Sequence, residues 1–375
     1  MRALVAAMLL IFSPAWAFAQ TPAGIDGFVV WQPISGGVRY LIPKIPGETP
    51  SQTAERWQRS MKSSAAYRHM ENVRDVVLST DPSRFSELPP STEAHPRVAV
   101  ILNRPKQMTE QSKYLPRAVA AFEKYGPDLY AMPIGLETAL STSQMADVRK
   151  RLNDFDGQLG VGGDDTHPSL WRQADRSHLE GDISWRRDIQ QSAYMREYLK
   201  NGKGRVFYIC GSMQRAAVIS GYGLHTDITN ITTAPHRQAG EKPLMLEVVV
   251  DSDSELAIAA GSNRFETSNY HHAAVNSDIR LSDKPLANIT AYNIEPDGSR
   301  GRVVKAIEFE KNAGFATQFH PEFEGSEAER RIVQYVATGW KLRGRYAPSE
   351  IARCLEGRLI RLMPSPAGVG ESAAK

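Results

Sequence analysis

Cysteine is scarce in this chain: Cys210 and Cys354 are the two thiols in 375 residues. They permit one disulfide at most, and in an oxidising compartment that pairing would be the default. An excess of charge of one sign is lacking too. With 45 Lys and Arg against 42 Asp and Glu the formal net charge is +3, and the basic residues are scattered. That balance argues against a nucleic-acid partner and against a polybasic membrane patch. The pairs Arg186-Arg187 and Arg330-Arg331 read as solvated helix faces. Beyond the N-terminus no stretch is apolar for long enough to span a bilayer, which takes about 20 residues, so a soluble mature chain without stable membrane insertion is expected. No internal repeat is visible. Metal-ligand spacing is missing as well. Asp164-Asp165, His167 and His271-His272 offer ligand types, but nothing in their spacing makes three or four converge as zinc requires. Neither a metal nor a cofactor is expected.

What is present begins with a leader. Met1-Arg2 gives a basic start, the following residues to Phe12 an apolar core, and Ala15-Trp16-Ala17-Phe18-Ala19-Gln20 an Ala-x-Ala pattern. This predicts a signal peptide over residues 1–19, cleaved after Ala19 or Ala17, and a secreted protein, periplasmic if the source is a Gram-negative bacterium. Residues 20–96 read as an N-terminal extension and linker. Runs at 27–31 and 38–42 suit a small hairpin or edge strands, 54–78 has helix-compatible composition, and Pro-rich punctuation falls at 81–83 and 88–91.

From Arg97 the pattern becomes regular. Apolar runs predict strands at 97–102, 128–133, 157–161 and 206–209, and helical patterns fall between them at 115–125, 143–152 and 184–200. Further strands are expected at 244–250, 258–260 and 303–309, and a helix at 326–340. The alternation argues for an α/β fold with a mostly parallel central sheet and helices on both faces. In such sheets the active residues lie at the carboxyl ends of the strands. The main domain is placed at 97–345, with a C-terminal helix and tail over 346–375.

The chemistry gathers at two strand ends. Val206 to Ile209 meets small residues at Cys210-Gly211-Ser212, where a helix is expected to start. A thiol at such a turn stands above the sheet edge. The helix N-terminus behind it supplies partial positive charge and free N–H groups, which favour thiolate and can hold an oxyanion. About a hundred residues later, the strand over 314–319 leads into His320-Pro321-Glu322. If the chain stays extended through Pro321, side chains two apart point the same way. Glu322 then orients the imidazole, and His320 takes and returns the cysteine proton. Taken singly, a lone cysteine is an inert small hydrophobe and His-Pro-Glu a solvated turn. In this order, each at the end of an apolar strand, they read as nucleophile, base and orienting carboxylate. That context favours a free Cys210, with Cys354 in the C-terminal helix. Asp182 and Glu266 read as ordinary loop carboxylates.

Four ordered blocks carry a resemblance. Val161-Gly162-Gly163-Asp164-Asp165-Thr166-His167-Pro168-Ser169-Leu170-Trp171 is similar to a Gly-Gly-x-Asp-x-x-Pro-x-Leu-Tyr loop, and Ile209-Cys210-Gly211-Ser212-Met213-Gln214 to an Ile-Cys-Arg-Gly-Met-Gln elbow. Ser268-Asn269-Tyr270-His271-His272-Ala273-Ala274-Val275 is similar to Ser-x-His-His-Gln-Ala-Val, and Phe315 to Phe323 to a Gly-Val-Gln-Trp-His-Pro-Glu block. On these blocks, from about residue 97 to about 342, the chain resembles the class I glutamine amidotransferase-like superfamily. Within it the likeness is to the gamma-glutamyl-gamma-aminobutyrate hydrolase family of cysteine peptidases.

The resemblance implies a flavodoxin-like α/β sheet and a Cys-His-Glu triad of Cys210, His320 and Glu322 that cleaves gamma-glutamyl amides through a thioester. It implies oxyanion donors at the backbone N–H groups of Gly163 and Gly211, and a small gamma-glutamyl substrate met by Gln214, His271 and His272. A homodimer is left open. The chain departs from the family at Tyr208 and Ser212, where small residues relieve the elbow, at Gly211 in place of arginine, and at Ala273 in place of glutamine. Tyr208 is expected to crowd the elbow or the substrate space beside it. Two competing readings follow: an inactive binding or scaffold protein on the same fold, and a cysteine amidase or peptidase for a non-glutamyl amide.

Overall fold

The computed structural model describes residues 24–32, 38–63, 82–102, 114–136, 139–173, 178–179, 181, 183–236, 243–310 and 312–362. The expected signal peptide, Asp182 and the last residues of the tail lie outside them.

The strands are β1 (Gly27–Trp31), β2 (Arg39–Lys44), β3 (Phe85–Glu87), β4 (Arg97–Ile101), β5 (Asp128–Met132), β6 (Gly157–Gly160), β7 (Arg205–Ile209), β8 (Tyr222–His225), β9 (Leu244–Val250), β10 (Arg264–Asn269), β11 (Ala274–Arg280), β12 (Ala287–Ile294), β13 (Arg300–Phe309) and β14 (Gly314–Thr317). The helices are α1 (Pro50–Ser63), α2 (Tyr114–Glu123), α3 (Thr142–Leu152), α4 (Trp185–Asn201), α5 (Gly211–Ile219), α6 (Glu255–Ala260), α7 (Glu327–Lys341) and α8 (Pro348–Leu362). Strands and helices alternate from β4 to β8 as the hydrophobic pattern predicts, whereas β10 to β14 follow one another with no helix between them.

Twelve strands form one sheet in the order β10-β9-β12-β13-β14-β7-β6-β4-β5-β2-β1-β3, and β8 pairs with β11 beside it. The six central strands from β14 to β2 run parallel. Every residue of β7 is buried, the continuous apolar strand of a sheet covered on both faces. Phe207 turns to one face, where it meets Phe122 of α2, itself packed against Trp340 of α7. Tyr208 turns to the other, the side of α5.

Both flanks are antiparallel. On one side β2 joins β5 in parallel, and β1 and β3 follow antiparallel, so the segment before residue 97 extends the same sheet. On the other side β13, β12, β9 and β10 form a wing. In a flat sheet four spacings would put β10 about 19 Å from β14. Yet His320 N–H, just past β14, donates to Ser268 O of β10 over 2.8 Å. Strand twist accumulates across the wing until its edge curls back over the carboxyl ends of the parallel strands.

The apolar run at 258–260 is helix, not strand. Ser254 Oγ accepts the N–H of Ala257, and Gly261 closes α6 in the left-handed region at φ 74°. These two caps decide a segment whose short apolar run fits either element. Among the described residues no helix is long and apolar enough to cross a membrane.

Candidate active site

Cys210 sits where β7 ends and α5 begins, with φ 51° and ψ −113°. That backbone is rarely open to a residue with a Cβ. It is over-determined from both sides, since Cys210 N–H donates to Thr317 O over 2.7 Å and Cys210 O accepts from Gln214 N–H over 3.0 Å. The turn lifts the sulfur to the start of α5, where no side chain caps the first N–H groups and the positive end of the helix faces it.

Tyr208 does not crowd this elbow. It pairs with Gly160 on one side and Ala316 on the other, so both neighbours leave room. A Cβ at Gly160 would fall 2.8 Å from Tyr208 Cδ1 and 2.7 Å from Ser212 Cβ. The phenol donates to Gln158 Oε1 over 2.5 Å and its ring meets Phe309 edge-on. Ser212, the other departure, donates to Val161 O over 2.7 Å and so ties the elbow to the glycine loop.

His320 and Glu322 meet as the pattern requires, by a different backbone route. The chain does not continue extended through Pro321; Pro321–Phe323 is a single 3₁₀ turn. Even so, His320 Nδ1 lies 2.8 Å from Glu322 Oε1, with both side chains about 1% exposed. Tyr114 of α2 stacks on the imidazole at 5.3 Å between centroids. Ser268, whose carbonyl holds His320 N–H, is itself gripped by Glu329. Burial disfavours charge on the imidazole, but the Glu322 carboxylate and the Cys210 sulfur outweigh it and raise its pKa to about 10. His320 is thus held as imidazolium. Both the charge of the Cys210 sulfur and a hydrogen bond to it favour the charged imidazole, a contact looser than an ordinary hydrogen bond, since Nε2 has no partner in strict hydrogen-bonding geometry.

The glycine loop closes the site. A Cβ at Gly162 would fall 2.8 Å from His320 Cε1 and 3.3 Å from Cys210 Cβ, so Gly162 is the residue against the thiol, with Gly163 next along the loop. A buried Arg-Asp-Arg cluster fixes the loop in place. Arg215 donates to Asp164 O, Gly211 O and Asp188, and Arg187 donates to Asp165 O and Asp188. His167 N–H is held by Asp188 over 2.7 Å.

The groups with metal-ligand chemistry are engaged elsewhere. Asp164 pairs with Arg187, Asp165 with His272 at 3.0 Å, and His167 Nδ1 caps the turn at Ser169. Among the described residues no three His, Cys, Asp or Glu gather as a metal site. His271 has both ring nitrogens engaged inside the fold, Nδ1 on Ala273 O at 2.9 Å and Nε2 on Lys305 Nζ at 2.8 Å. Gln214 Nε2 reaches Ala273 O and Gln318 Oε1, and Gln318 Nε2 lies 3.6 Å from Cys210 Sγ. His272 is partly exposed, with Nε2 against Asp165 and His178 O. Glu266 is exposed on β10. Cys210 and Cys354 are both free thiols, one buried in the site and one half-buried on α8.

Lys305, Gln318 and Tyr114 were not foreseen. For Lys305 the signal was in the sequence: Val303, Lys305 and Ile307 share one face of a strand, and two of the three are apolar.

A thiol at a strained strand-to-helix turn, an imidazole held by a carboxylate, and glycines beside both fit a cysteine hydrolase of amide bonds. The sequence profile of the Peptidase C26 family matches residues 98–322, more than half of the chain, and the protein belongs to that family. Similar solved structures include the glutaminase domain of Trypanosoma brucei CTPS, 16% identical, covering 67% of this chain and 95% of that one at a TM-score of 0.45. A glutamine amidotransferase from Thermotoga maritima is 13% identical over 72% of this chain and 93% of its own, at a TM-score of 0.36. One from Methylobacillus flagellatus is 14% identical over 60% and 70%, at a TM-score of 0.37. A search of curated proteins returns no match.

Proposed function

We propose that this protein is an exported hydrolase of gamma-glutamyl amides, with Cys210 as nucleophile, His320 as acid and base, and Glu322 as the carboxylate that orients it. The observation that carries the reading is the proximity of Cys210, on its strained turn, to the buried His320–Glu322 pair, both of them against Gly162. The four sequence blocks support the gamma-glutamyl specificity, and the N-terminal leader pattern supports export.

In this mechanism the Cys210 sulfur adds to the gamma-carbonyl carbon. The oxygen that gains charge is held by the N–H of Gly211 at the start of α5 and by an N–H of the glycine loop, at Gly163. Collapse breaks the C–N bond, and the leaving amine takes the proton from His320 Nε2. A thioester remains. Water then attacks it, His320 accepts the water proton, and expulsion of the sulfur releases the acid and restores the starting state. Glu322 keeps the imidazole in one orientation and favours its charged form throughout.

Intact-mass spectrometry of the purified mature protein, incubated with a diazo-ketone analogue of glutamine, tests the reading. One adduct on Cys210, absent from Cys210→Ala, and a mass that begins at Gln20 or Phe18 are expected. An unmodified Cys210 in folded protein would overturn the glutamyl assignment, and a mass lighter by two hydrogens would report a disulfide to Cys354.

A further inference from the structure

Gln318 is the first residue beyond β14 and is fully buried, so both ends of its amide need partners inside the protein. The backbone around it is fixed. Gln318 N–H donates to Lys305 O over 2.8 Å, and the carbonyl of Thr317, one residue earlier, accepts Cys210 N–H over 2.7 Å. Consecutive residues of one segment thus address two ends of the same cysteine: Thr317 holds its backbone, and Gln318 reaches its sulfur with Nε2 3.6 Å from Sγ.

A chain of bonds that starts at a backbone carbonyl settles which end of the amide faces the sulfur. Ala273 O can only accept, and Gln214 Nε2 donates to it over 3.1 Å. The same nitrogen donates to Gln318 Oε1 over 3.3 Å, which leaves Nε2 of Gln318 toward Sγ. Turning the Gln318 amide over would set nitrogen against nitrogen and an oxygen against the sulfur. Turning Gln214 over as well would set its oxygen against Ala273 O. One arrangement of the two amides satisfies every contact, and Gln214, Gln318 and Cys210 are all buried, where such a bond is stronger than in water.

Two polar side chains therefore face the sulfur, His320 and Gln318, and they differ in kind. In the proposed reaction the imidazolium surrenders its proton to the leaving amine. An amide keeps its hydrogens, so the Gln318 bond is available at every stage. It is strongest when the sulfur carries charge, and charge returns to the sulfur when the C–S bond of the thioester breaks.

We propose that Gln318 is a catalytic hydrogen-bond donor to the Cys210 sulfur, acting chiefly when that sulfur departs from the thioester. The inference rests on the reading of Cys210 as nucleophile and deepens it. In that step the water oxygen bonds to the carbonyl carbon, the water proton passes to His320, and the C–S bond breaks with its electron pair left on sulfur. Gln318 donates to the departing sulfur and transfers no proton. In the first half of the reaction the same bond works against attack, because a stabilised thiolate is a weaker nucleophile but a better leaving group. The two halves should therefore feel the loss of this donor unequally.

The test is pre-steady-state kinetics of the full chain with gamma-glutamyl p-nitroanilide. First-turnover release of p-nitroaniline reports thioester formation, and acid-quenched intact mass reports the acyl group on Cys210 and its decay. Gln318→Met and Gln318→Leu keep roughly the side-chain volume without a donor, and far-UV circular dichroism selects the variants that fold. Thioester hydrolysis is expected to slow about tenfold, the size of one hydrogen bond to a charged group. First-turnover release should stay within about threefold of wild type, so that acyl-enzyme builds up in the variant. In whichever variant folds, two rates that fall together would overturn the role, since a merely structural contact misplaces the sulfur for both steps; two unchanged rates would overturn it as well. Wild type that releases no p-nitroaniline would instead sink the gamma-glutamyl reading, and this inference with it.

Discussion

The parallel half of the sheet and its antiparallel wing contribute to the site in different ways. The parallel half delivers groups at strand ends: the glycine loop after β6, Cys210 after β7, and His320 with Glu322 after β14. Adjacent parallel strands end side by side, so three segments far apart in sequence arrive at one place without any side chain having to reach. The wing works from its face and by curvature, since it presents Lys305 from within β13 and brings Asn269 and His271 back over the sheet edge. Under the proposed function the reacting groups thus come from backbone turns, and the curled wing supplies the side chains packed beside them.

If the division is right, the largest losses come from the parallel half. Cys210→Ala is expected to lower kcat for a gamma-glutamyl amide on the order of 10⁶-fold, and Glu322→Gln roughly 10⁴-fold, with urea melts showing both folded. A wing substitution that matched Cys210→Ala in a folded protein would break the comparison. Gly162→Ala should come next. Its methyl would press on His320 and on the Cys210 Cβ, and displacement of reacting groups by a fraction of an ångström to one ångström costs about 10²-fold; steady-state kinetics would show the loss in kcat more than in KM.

Smaller effects fall on stability. Tyr208→Phe leaves Gln158 without the phenol it accepts from and should cost about 1–3 kcal/mol in denaturant melts. The His320–Glu322 pair adds a pH dependence to stability. The folded pKa of His320, raised to about 10, lies above its ordinary 6.5. The pair's contribution is therefore complete below pH 6.5 and lost as pH climbs through about 10. Urea midpoints of wild type and Glu322→Gln should differ most at pH 6 and converge toward alkaline pH. A gap that widened instead would mean the imidazole is neutral in the folded state.

The same division explains what could be read from the sequence. β4 to β7, the helices between them and the triad-like residues were legible because strand ends of a parallel sheet leave local marks: an apolar run, then small residues, then polar ones. Residues 258–260 misled, since three apolar residues suit either element and only the caps at Ser254 and Gly261 decide. The turn at Pro321 reached the expected His320–Glu322 contact by a route that side-chain alternation does not describe. Lys305 was hidden for a different reason. Its partners come from two other segments, His236 before β9 and Asn269 with His271 at the end of β10, and no spacing rule announces that a sheet will curl four strands back on itself.

Gly160 and Tyr208 are coupled positions. A side chain at 160 would need the space that the Tyr208 ring and Ser212 already fill, with less than 3 Å between the atoms concerned. A larger residue at 160 is therefore tolerable only together with a smaller one at both 208 and 212, so no single substitution at 160 can be neutral in this chain.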